Sequence, residues 1–102
     1  MTTRTKRLKP IHPGEVLKTV FEDAGVSANA VALALRIPAN RLTEIINGNR
    51  SLTADTALRL ARYFGTSAQM WMNLQAKFDL ESAQDALASR IETEVQPMSR
   101  AS

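Results

Sequence analysis

The chain has no cysteine and only one histidine among its 102 residues. Without thiols there is neither a disulfide framework nor a thiolate metal site, and one imidazole excludes a histidine-cluster site. No apolar run approaches the roughly 18 residues of a membrane span, so no membrane association is expected. The N-terminus, MTTRTKRLKP, is basic but no apolar stretch follows it, so it does not read as a secretory signal. A cytoplasmic protein is expected. Aromatics make up 5% of a chain that is 44% hydrophobic, which leaves Leu, Val, Ile and Ala to build the core. There is no internal repeat and no low-complexity tract, and the one stretch compatible with a strand is residues 8–11. A paired-carboxylate motif, a glycine-rich phosphate loop and a nucleophile–base pair are all missing. Neither an enzyme, a cofactor, a metal nor a small-molecule ligand is therefore expected.

What remains is one small domain whose folding leaves little spare stability, so oligomerisation is a natural supplement. Net charge is +3, unevenly spread. Residues 1–62 carry ten Lys/Arg against five Asp/Glu, and residues 63–102 carry three against five. A basic N-terminal half fits a phosphate-facing end, although such an excess also occurs on surfaces with no nucleic-acid role.

The apolar spacing predicts five helices. The first runs over Pro13–Ala24, with Val16, Leu17, Val20 and Phe21 on one face, Pro13 in its first turn and Gly25 as its cap. His12, flanked by two prolines and three residues before Glu15, reads as a packing or capping residue rather than half of an acid–base pair. The second helix is predicted at Ala28–Leu35, capped by Ser27. After the turn Arg36-Ile37-Pro38 the third spans residues 39–47 and stops at Gly48. Thr53 caps the fourth, whose buried face is expected to hold Ala57, Leu58, Ala61 and Phe64, with Gly65 closing it. Thr66 and Gln69 form a capping box for a fifth helix. Its apolar period persists from Met70, Trp71, Leu74 and Phe78 through Leu80, Ala83, Leu87 and Ile91, as one long helix or two shorter ones. Residues 1–10 read as a flexible basic arm, tracking a groove or serving as a solubilising tail. Residues 11–92 form the domain and 93–102 a frayed tail.

Residues 27–48, SANAVALALRIPANRLTEIING, are the most telling. Val31, Ala32 and Leu35 before the turn, and Leu42, Ile45 and Ile46 after it, give two short helices joined by a tight turn. This is the helix-turn-helix unit, whose second helix enters the major groove. The outward residues of that helix suit base edges: Arg pairs with guanine, Asn with adenine, and Thr can touch a thymine methyl.

Residues 11–80, through IHPGEVL, TEIINGNRSLTADTALRLARYFGTS and MWMNLQAKFDL, resemble the HigA-type antitoxins, a branch of the lambda-repressor-like (Xre) helix-turn-helix proteins. The resemblance implies an all-α, five-helix domain with an extended C-terminal helix. It also implies a homodimer on an inverted-repeat DNA operator and a HigB-type, RelE-like mRNA-cleaving toxin partner. Such antitoxins neutralise the toxin and repress their own operon. The same fold also serves stand-alone or phage-type repressors without a toxin, and a protein-interaction domain that has lost DNA binding is a further alternative.

Two departures from the superfamily pattern stand out. Ala28 and Ala39 occupy positions that often carry glutamine, so the usual pair of adenine-reading glutamines is absent. Arg36 stands where the turn often has glycine; a positive φ there costs about 1 kcal/mol. The candidate DNA-facing set is Ser27, Asn29, Ala39, Asn40, Arg41, Thr43, Glu44, Asn47, Asn49 and Arg50. Arg41 is the candidate base reader and Arg50 the candidate phosphate contact. Glu44 can accept from cytosine or pair with Arg41. Trp71, Leu74, Phe78 and Leu87 are the candidate dimer interface, and Met70, Trp71 and Met72 read as core or interface rather than a ligand pocket.

Overall fold

The structure, a computed structural model, describes residues 9–99. Its helices are α1 (Pro13–Ala24), α2 (Ala28–Leu35), α3 (Ala39–Ile46), α4 (Ala54–Phe64) and α5 (Ala68–Glu94). The described residues contain no strand, and residues 9–11 run as unpaired chain into α1. Most of the basic arm, residues 1–8, lies outside the described residues, as do residues 100–102.

Helix ends follow from local chemistry. Ser27 Oγ accepts the amide of Ala30 at 3.1 Å and Ser67 Oγ that of Met70 at 3.1 Å. These bonds satisfy amides that a helix start leaves without partners. At the other ends of α1 and α2 the chain turns left-handed, at Gly25 (φ 70°) and Arg36 (φ 62°). Val26 N then donates to Phe21 O, and Ile37 N to Ala32 O, as in a Schellman closure. Arg36 is the only non-glycine residue with positive φ among those described, so the strain anticipated at this turn is present.

Sequence expectation and structure part at three helix boundaries. Helix α3 ends at Ile46, and Asn47 is its cap rather than its last residue. Helix α5 is one continuous helix of 27 residues, about 40 Å long, and reaches Glu94 rather than stopping near residue 92. Ser67, not Thr66, caps α5; the Thr66 hydroxyl instead accepts the indole N–H of Trp71 at 2.8 Å. A buried indole needs an acceptor, and that need takes Thr66 away from the amides.

The core gathers Leu17 and Phe21 from α1, Val31 and Leu35 from α2, Leu42 and Ile45 from α3, Leu60 from α4 and Trp71 from α5. Leu58, expected inside, is 62% exposed, and α4 instead buries Thr56, Ala57 and Leu60. Trp71 is 1% exposed, so this candidate interface residue belongs to the protomer's own core. Leu74 and Phe78 are half-buried within the protomer, and Phe78 meets the His12 ring edge-on at 4.8 Å. Every described residue after position 82 is exposed, so the far end of α5 projects from the core, and the molecule measures 57 × 30 × 22 Å.

Candidate nucleic-acid interface

The segment IHPGE fixes the recognition helix from behind. His12 Nδ1 accepts the amide of Gly14 at 2.9 Å, and the Glu15 carboxylate accepts the amide of His12 at 3.4 Å. This is the capping role expected of His12. Gly14 lies directly against the last turn of α3. A methyl group at Gly14 would overlap the Ile45 carbonyl oxygen and stand 2.8 Å from that of Ile46. Only glycine lets the two backbones approach so closely. The start of α1 thus seats the end of α3.

The loop after α3 is held from the other side. Gln75 on α5 is buried; its Oε1 accepts the Leu52 amide at 2.7 Å, and its Nε2 donates to Asp79 at 2.8 Å. The loop amide is thus satisfied by a side chain of the neighbouring helix. Leu52 itself is buried, so Arg50, two residues upstream, stands on an anchored loop.

On this frame α3 presents Ala39, Asn40 and Thr43 exposed, with Asn47 and Asn49 exposed beyond it. Ser27 and Asn29 are exposed at the start of α2. The Thr43 hydroxyl donates to Ala39 O at 3.0 Å, so a base meets its methyl group and an acceptor, not a free donor. Arg41 is part-buried and bonded: its Nη1 lies 3.1 Å from Asp55 Oδ2, on the first turn of α4. Arg50 Nε lies 2.9 Å from Glu44 Oε1. Of the two roles open to Glu44 in the sequence, cytosine contact or pairing with Arg41, the second is not formed: the pairs are Glu44–Arg50 and Arg41–Asp55. Arg59, one turn along α4, donates from Nε to Asp55 Oδ1 at 3.0 Å and from Nη1 to Leu35 O at 2.8 Å. Arg59's hydrogen bond is the leading cause that holds the Asp55 carboxyl below its usual pKa. Burial opposes this, while the charge of Arg59 and the bond and charge of Arg41 add to it.

Sequence reasoning missed Gly14, Gln75, Asp55 and Arg59 as parts of this site. Asp55 and Arg59 were legible as an i, i+4 pair. Gln75 was legible as a polar residue on the α5 face that carries Trp71 and Phe78. Nothing local linked residue 14 to 45, or 41 to 55.

A two-helix unit with a polar, part-cationic recognition helix, its last turn seated on Gly14 and its following loop held by Gln75, can dock a rigid row of donors and acceptors into a groove. The sequence profile of the helix-turn-helix family matches residues 17–71. A HigA-family addiction module antidote protein from Coxiella burnetii superposes with a TM-score of 0.83 at 49% identity, covering 89% of this chain and all of that one. The chain belongs to the helix-turn-helix family, in its HigA antitoxin branch. Antitoxin HigA of Pseudomonas aeruginosa, solved with the higBA promoter, superposes on this HigA-type chain with a TM-score of 0.85. The two are 43% identical over 88% of this chain and 99% of that one. Virulence-associated protein I of Dichelobacter nodosus is 49% identical over 75 residues, which are 72% of this chain and 69% of that protein. The all-α, lambda-repressor-like architecture expected from the sequence stands. The branch is one of DNA-binding regulators, not enzymes. No helix of the described residues is long and apolar enough to cross a membrane.

Proposed function

We propose that this HigA-type chain is the antitoxin of a toxin–antitoxin module, binding its own operator as a homodimer and neutralising a RelE-like ribonuclease. Such a role places it in the cytoplasm with its operon. The observation that carries the DNA half is the placement of Arg41 and Arg50 beside the exposed Asn40, Thr43 and Asn47, on elements seated by Gly14 and Gln75. The promoter complex of the Pseudomonas relative supports the same reading. Arg41, Asn40 and Thr43 address base edges, with Ala39 leaving room beside them. Arg50, Asn49, Ser27 and Asn29 address the backbone, and Glu44 orients Arg50.

The dimer uses the far half of α5. Leu80, Leu87 and Ile91 are 61%, 38% and 49% exposed, and they recur at helical spacing along the stretch over which α5 leaves the protomer's core. Leu87 stays in the interface expected from the sequence, Leu80 and Ile91 join it, and Trp71, 1% exposed, leaves it. A second copy of the same stripe covers them, and the two recognition helices then address successive major grooves of an inverted repeat, about 34 Å apart.

The same helix carries Asp79, Glu81, Asp85, Glu92 and Glu94. Its cations are engaged locally, Lys77 with Glu81 at 4.0 Å and Arg90 with Glu94 at 3.1 Å. An RNA-cleaving toxin is basic, so this acidic end steers it to dock away from Asn40, Arg41 and Arg50. The test is a gel shift with the protein's own upstream DNA, with and without the neighbouring gene product, on wild type and on an Arg41→Ala/Arg50→Ala double mutant. The mutant should co-purify with toxin and fail to bind DNA. Loss of both activities in a folded mutant would place toxin and DNA on one surface. Operator binding with no neighbouring toxin gene would favour the stand-alone repressor.

A further inference from the structure

The candidate base-reading arginine is not a free side chain. Arg41 Nη1 is tied to Asp55 Oδ2 at 3.1 Å, Asp55 Oδ1 receives Arg59 Nε at 3.0 Å, and Arg59 Nη1 ends on Leu35 O at 2.8 Å. The relay runs from the last residue of α2, through α4, to α3, and so joins both halves of the helix-turn-helix to a third element. We infer that Asp55 is a positioning residue for sequence readout, aiming Arg41 at one base and withholding it from phosphates. This role of Asp55 rests on the DNA-binding function proposed for the chain.

Donor count and charge carry the assignment. A guanidinium has five N–H donors in a rigid plane. Asp55 engages Nη1 and leaves the remaining donors to fork onto guanine O6 and N7. Arg59 secures the other carboxylate oxygen, so the carboxylate cannot simply rotate to follow Arg41. A long side chain without such a hold reaches backbone phosphates on any sequence, which raises affinity without selectivity. The second arginine is treated alike, since Arg50 is held by Glu44 at 2.9 Å. Each of these two arginines thus meets DNA with a carboxylate already beside it. The helix-dipole role open to any acid in a first helical turn explains neither the Arg41 bond nor the Arg59 brace.

The experiment measures binding of purified full-length wild type, Asp55→Asn, Arg41→Ala and Asp55→Asn/Arg41→Ala. The probes are the operator, its single-base variants and unrelated duplex DNA, across a salt series. Asp55→Asn should lose about tenfold in discrimination at the base pair that Arg41→Ala also relaxes. Its binding to unrelated DNA should tighten, with a salt slope steeper by about one ion. In the Arg41→Ala background, Asp55→Asn should alter selectivity at no position. Arg59→Gln, which loosens the brace and keeps the carboxylate, should show the same effect more weakly; it replaces Asp55→Asn if that variant fails to fold. A uniform loss of affinity at every sequence, or unchanged discrimination in both variants, overturns the positioning role and leaves the DNA-binding reading intact. A wild type that binds operator and unrelated DNA equally overturns both.

Discussion

Single side chains set the terms of recognition and of strain. Arg41 and Arg50 are each paired with a carboxylate, and their different surroundings support the different roles proposed for them. Arg41 projects from the recognition helix at 31% side-chain exposure, braced by α4; Arg50 stands on the following loop at 46%, tied to Glu44. Arg41→Ala should therefore cost about 1–3 kcal/mol of binding and relax preference at one base pair. Arg50→Ala should weaken binding to all sequences by a similar factor and lower the salt slope by about one. Binding across a library of single-base operator variants separates the two, and the opposite pattern would exchange the assignments. Arg36 bears on stability through its backbone. Its φ of 62° is the conformation that Gly25 and Gly65 supply at the ends of α1 and α4. Arg36→Gly should raise unfolding free energy by about 1 kcal/mol, read as a higher urea midpoint at unchanged slope. The gain would be smaller if the extra freedom of glycine in the unfolded chain offsets relief of strain.

Elements show where sequence reading succeeds and where it stops. All five helices were legible, because apolar spacing, Ser27, Thr53, Gly25 and Gly65 are local signals that the structure uses locally. The capping residue of α5 was misread because the Thr66 hydroxyl is taken by the indole of Trp71, five residues on, a contact that capping rules do not contain. Leu58 was misplaced for a related reason. Thr56 is wholly buried, and its hydroxyl lies 3.4 Å from that of Thr53, so a polar residue occupies a core position that pattern assigns to an apolar one. The approach of α1 to α3 is invisible to periodicity altogether, since its key residue has no side chain. Gly14→Ala should lower stability by about 2–3 kcal/mol, because the obstacle is backbone carbonyl and not a flexible side chain. Operator affinity should fall as well, measured at a temperature where circular dichroism shows the variant folded, since α3 must shift to admit the methyl group. Full affinity in a folded Gly14→Ala protein would show that the seat of α3 does not govern its fit to DNA.

At the scale of the molecule, burial stops partway along the chain while the helix goes on. The core closes on Trp71 and Gln75, yet α5 continues for about five more turns to Glu94. An isolated helical extension of that length is marginal in water on propensity alone, and tertiary packing of an apolar face is what ordinarily maintains one. The stripe of Leu80, Leu87 and Ile91 is such a face, and a second copy of the chain presents its equal. The two ends of α5 should therefore fail differently when mutated. Trp71→Ala removes a side chain that is 1% exposed inside the protomer and should cost about 3–5 kcal/mol, unfolding the domain instead of merely dissociating a dimer. Leu87→Asp/Ile91→Asp removes nothing from the protomer core. It should yield a folded monomer in sedimentation equilibrium at micromolar concentration, with helical signal retained except for fraying of the far end of α5. Its operator affinity should collapse toward that of a single half-site, because the second recognition helix is no longer tethered one DNA turn away. A double mutant that remains dimeric would move the interface elsewhere on the protomer. A wild type that sediments as a monomer yet binds its operator with full affinity would remove the need for a dimer, and with it the packing that accounts for the length of α5.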